Sequence, residues 1–84
     1  MQGKIFLPPE IRRDVPRIIL SGGEELLLEQ HGGLFSYDSK CIRIRTGAGL
    51  LTVEGEKLVI EYFGVQDLMI RGKIHALRMD ESIK

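Results

Sequence analysis

From Pro16 onward the apolar runs are short, and a glycine or a turn-forming polar pair interrupts each one before it reaches helix length. That punctuation restricts the chain to a fold of short extended segments. The candidate strands are residues 17–20, 25–30, 33–37, 41–46, 49–54, 57–63, 66–71 and 73–79. Between them stand Ser21-Gly22-Gly23, Gly32-Gly33, Asp38-Ser39-Lys40, Gly47-Ala48, Gly55-Glu56 and Gly64-Val65. Each gap holds a residue that reaches positive φ or hydrogen-bonds its own backbone. Gaps this short suit antiparallel hairpins, because parallel strands need crossovers of a dozen or more residues.

Alternation with period two assigns the faces. Ile42 and Ile44 alternate with Arg43 and Arg45, and Leu51 and Val53 with Thr52 and Glu54. Leu58, Ile60 and Tyr62 alternate with Val59, Glu61 and Phe63, and Leu68 and Ile70 with Met69 and Arg71. The first set of each pair is expected inside. Ile74, Leu77 and Met79 mix parities after Gly72, which predicts a bulge or bend between Gly72 and Ala76. Seven or eight such strands imply an all-β fold, a small antiparallel β-sandwich or partly open barrel. The alternative is a short β-solenoid, since Leu51-Thr52-Val53-Glu54-Gly55 returns as Leu68-Met69-Ile70-Arg71-Gly72 after seventeen residues.

The chain has 84 residues, enough for one domain, placed at 16–80 with an N-terminal arm at 1–15 and a tail at 81–84. In the arm, Pro8-Pro9 opens and Pro16 closes a segment, Glu10 to Asp14, that can form one helical turn and dock through Ile11 and Val15. With 12 basic and 12 acidic residues the formal charge is zero, which argues against a nucleic-acid partner. Cys41 is the only cysteine, so no internal disulfide forms and a reducing compartment is expected. The N-terminus shows no apolar signal-peptide core, and no run approaches the roughly 20 residues of a membrane-spanning helix.

Few residues offer chemistry. His31, Cys41 and His75 are the soft metal-ligand candidates, yet none stands at a spacing that pre-places two ligands. No metal, cofactor or catalytic residue is therefore expected. Arg43 and Arg45, with Arg71 and Lys73 on a neighbouring strand, would form a basic stripe for an anionic lipid or nucleic-acid surface, although glutamates can balance them across strands. Val59, Phe63 and Met69 are apolar on the face opposite the core and are the candidate partner-binding side chains, together with the arginines.

The opening Leu7-Pro8 with Asp14-Val15-Pro16-Arg17-Ile18 and Gly22, the central Gly49-Leu50-Leu51-Thr52-Val53-Glu54-Gly55, and the closing Leu68-Met69-Ile70-Arg71-Gly72-Lys73-Ile74 form a recognisable series. It resembles the YabP/YqfC family of sporulation proteins, and looks most like the YqfC branch. The resemblance runs from about Leu7 to Asp80. It implies an immunoglobulin-like β-sandwich and a non-enzymatic protein of the mother cell, acting in spore envelope assembly, in the cortex and coat or at the forespore membrane. The YqfC branch is typically encoded beside a YqfD-type membrane protein. The resemblance thus also implies a membrane protein partner and a cytoplasmic location, peripheral at the membranes that surround the forespore.

Overall fold

The structure is a computed structural model that describes residues 15–81. The helical turn expected at Glu10 to Asp14, and all but the first residue of the tail, lie outside the described residues. The described chain is all-β: β1 (Arg17–Ser21), β2 (Glu25–Glu29), β3 (His31–Asp38), β4 (Cys41–Thr46), β5 (Gly49–Phe63) and β6 (Asp67–Asp80). They form one sheet in the order β1-β2-β6-β5-β4-β3, with every pairing antiparallel.

Six strands replace the expected eight because two of the predicted turns are corners within strands. Gly55-Glu56 lies inside β5 and Gly72 inside β6. The β5–β6 register shifts between Glu54 and Gly55 and again between Glu56 and Val59, leaving His75 unpaired in β6 and Lys57-Leu58 opposite Gly72. These bulges bend both long strands at one level, where the bend near Gly72 to Ala76 was expected. Gly32-Gly33 is likewise internal to β3, and the β2–β3 link is made by Gln30 at a φ of 71°.

The bend folds the sheet onto itself. Leu26 and Leu28 of β2 and Ile42 and Ile44 of β4 are fully buried in one cluster with Leu51, Val53, Leu58, Leu68 and Ile70. In a flat sheet, β2 and β4 would stand three strand spacings apart, roughly 14 Å. One core therefore requires two stacked layers. The first holds β1, β2, the start of β6 and the end of β5; the second holds β3, β4, the start of β5 and the end of β6. The result is sandwich-like, with both layers drawn from one continuous hydrogen-bond ladder.

The seventeen-residue echo has a structural meaning other than a solenoid. Leu28 pairs with Leu68 and Leu26 with Ile70, while Ile44 pairs with Leu51 and Ile42 with Val53. The two quartets are related by an approximate two-fold axis between β5 and β6. The corners obey the same relation. Gly72 N–H donates to the Glu24 carbonyl at 3.0 Å, and Gly55 N–H donates to the Lys40 carbonyl at 3.0 Å. Ile74 N–H donates to Gly23 at 2.9 Å, and Leu58 N–H to Ser39 at 2.8 Å. Thus each short hairpin, β1–β2 or β3–β4, plugs its turn into the corner of a long strand. The symmetry breaks at Lys57, one extra residue accommodated at a φ of 57°.

Candidate docking surface

Strand alternation and register set what each layer shows to solvent. On the first layer, the core side carries Leu26, Leu28, Leu58, Leu68 and Ile70. The outward side aligns Ile19 of β1, Leu27 of β2, Met69 of β6 and Tyr62 of β5 in one row across four strands. Tyr62 is 58% exposed and Ile19 36%, with Leu27 and Met69 half-buried between them. Tyr62 was expected inside. The register shift between Ile60 and Tyr62 reverses its parity and turns it outward.

Two rows flank this apolar stripe. On one side Arg17, Glu29 and Asp67 are in register, with Arg17 Nη1 3.5 Å from Glu29 Oε1. On the other stand Ser21, Glu25, Arg71 and Val59. Arg71 Nε donates to both Glu61 carboxylate oxygens at 3.0 and 2.9 Å, and Nη2 donates to Glu25 Oε2 at 2.7 Å. The hydrogen bonds that Arg71 donates to Glu61, the Glu61 charge and that of Glu25 hold the Arg71 guanidinium above its ordinary pKa. Because these partners are exposed, Arg71→Ala is expected to move the urea midpoint far less than any core truncation, and molar salt to erase the difference.

The structure divides the residues singled out from the sequence. Val59 and Met69 share the outward side of the first layer with Arg71, whereas Arg43 and Arg45 are exposed on the outward side of the second layer. Arg45 lies over the Phe35 ring at 4.8 Å from its centre, and among the described residues Arg43 makes no ion pair. Phe63 faces away from the stripe and stacks on His31, ring centres 4.9 Å apart. The basic stripe predicted from Arg43, Arg45 and Arg71 is therefore split between opposite layers.

The metal-ligand candidates are equally dispersed. His31 Nε2–H donates to the Gly64 carbonyl at 2.8 Å while Nδ1 accepts from Gly33 N–H at 3.0 Å, which fixes the tautomer and clamps β3 to the β5–β6 turn. Cys41 is half-buried at the start of β4 and His75 is exposed at the β6 bulge. Among the described residues no three histidine, cysteine or acidic side chains gather to hold a metal ion. No described helix is long and apolar enough to cross a membrane. The row through Ile19, Leu27, Met69 and Tyr62 was hidden in the sequence, since Leu26-Leu27-Leu28 is apolar at both parities and only register selects Leu27 as outward.

Fold and surface together define a small antiparallel β-protein whose first layer presents an apolar stripe between charged rows. Comparison with known proteins makes this specific. The YabP family model matches residues 13–84, and the chain belongs to that family. It is similar to the uncharacterized protein YqfC of Bacillus subtilis, 28% identical over 76 residues that cover 90% of this chain and 82% of the relative. Membership implies a sporulation-related protein. No solved structure matches the chain.

Proposed function

We propose that the protein is a non-enzymatic adaptor of spore envelope assembly, working in the mother-cell cytoplasm at the membranes around the forespore and docking a membrane protein of the YqfD type. Family membership carries the sporulation assignment. The mode of action rests on the surface. Its outward first layer presents Tyr62 and Ile19 to solvent between polar rows, with exposed Val59 beside Arg71 in one of them, and apolar side chains rimmed by polar ones are the usual make-up of a protein contact. Met69 and Val59 would supply specificity there, with Arg71 at the rim.

The reading is tested in the cell. Deleting the gene is expected to lower the yield of heat-resistant spores, and re-expression of the intact chain to restore it. A pull-down from sporulating cells is expected to recover a protein with membrane-spanning segments. Wild-type spore yield in the deletion strain, or recovery of soluble proteins alone, would refute the adaptor role.

A further inference from the structure

The geometry points to a partner of defined chemistry for the first-layer stripe: a cationic amphipathic segment, apolar along one side and flanked by lysine or arginine. The inference rests on the docking role and adds what is docked. The rows beside the stripe carry Glu25, Glu29 and Asp67 with Arg17 and Arg71, and Glu61 of the β5 bulge closes on Arg71 beside them, a net charge of −2 over these six; Glu24, Lys57 and Lys73, which line the cleft beyond Arg71, leave the sum negative. Both guanidiniums are already engaged, Arg17 by Glu29 and Arg71 by Glu61 and Glu25. Asp67 makes no ion pair among the described residues.

Charge decides between occupants. A second copy using the same face would set net negative charge against itself, and an anionic membrane would meet the same repulsion. A segment with basic flanks instead places opposite charge on both rows while its apolar side covers Ile19, Leu27, Met69 and Tyr62. The stripe crosses four strands, roughly 14 Å, about the length of two and a half helical turns or four extended residues. Cytoplasmic segments next to membrane spans are rich in lysine and arginine, so a membrane protein partner would offer such a segment.

The probe is a synthetic amphipathic leucine/lysine peptide, with a leucine/glutamate peptide of the same pattern and phosphatidylglycerol vesicles as controls. Backbone amide shifts of the purified protein should change saturably at Ile19, Leu27, Tyr62 and Met69 with the lysine peptide, and binding should weaken with salt. Asp67→Lys is expected to weaken it roughly tenfold, as loss of one favourable charge contact and gain of a repulsive one. Tyr62→Ser, at an exposed position, should weaken it independently through lost apolar contact, with unfolding midpoints verifying that both variants fold.

Equal binding of the glutamate peptide, shifts confined to the Arg43 and Arg45 face, vesicle binding through the stripe, or sedimentation showing a dimer that covers it would each overturn the inference. If the peptide fails while a pull-down still recovers a membrane protein, the cationic segment is wrong and the docking role stands.

Discussion

Gly55→Ala is expected to remove a large part of the protein's stability although it adds one methyl group. A Cβ at Gly55 would sit well inside contact distance of the Lys73 carbonyl oxygen, 3.0 Å from its carbon and 3.1 Å from the Ile74 Cα. All three are backbone atoms of the paired strand, so no rotamer change relieves the clash. Relief requires β5 and β6 to separate at the corner, which also pulls Gly55 N–H from the Lys40 carbonyl. We expect a loss of roughly 3–5 kcal/mol, against a total of about 4–12 kcal/mol for a domain of this size. Gly22→Ala is the control: its φ of 61° is strained for alanine, yet nothing lies within 4 Å of the added carbon. That variant should lose about 1 kcal/mol. Urea unfolding of both reads the difference, and equal midpoints would mean that the corner backbones do not approach so closely.

The glycines also show where sequence reasoning reached and where it stopped. Strand existence was legible because apolar residues alternate at Ile42/Ile44, Leu51/Val53 and Leu68/Ile70, and all six are buried. The turn at Asp38 was legible from its side-chain chemistry, and Asp38 Oδ1 accepts from Lys40 N–H at 2.7 Å and Cys41 N–H at 2.9 Å. A glycine that lets a strand bend against its neighbour carries the same local signal as one that ends a strand. Gly55 could therefore be located but not assigned, whereas the mixed parities after Gly72 did mark a bend there; even so, β5 and β6 were each expected as two pieces. Faces were lost for a related reason. One bulge inverts parity, so Tyr62 moved outward and the row it completes depended on pairings among β1, β2, β6 and β5 that no local pattern encodes. Arg43 and Arg71 stand on similar alternating runs, and only the fold of the sheet sends them to opposite layers.

Shared strands further require that the two layers unfold together, which is the second large effect. Leu26→Ala in the first layer and Ile42→Ala in the second occupy symmetry-related sites, both fully buried in the same cluster. Each truncation is expected to cost about 2–5 kcal/mol, a large part of the total for a domain of this size. Neither loss should stay in its own layer, because β5 and β6 run through both and each corner is bonded to a hairpin turn. The two tyrosines permit a direct check, since Tyr62 lies in the first layer and Tyr37 in the second. Tyr37→Phe, which also removes the 3.4 Å hydrogen bond from Tyr37 O–H to the Leu58 carbonyl, and Tyr62→Phe each leave one reporter, and in either core variant the fluorescence midpoint of each background should coincide with its own circular-dichroism midpoint. Separate midpoints, with the truncated layer melting first, would show that the long strands hinge at Gly55 and Gly72. A single transition means that the stripe is held by the whole core, so that a partner meets a preformed face and loses little affinity to ordering it.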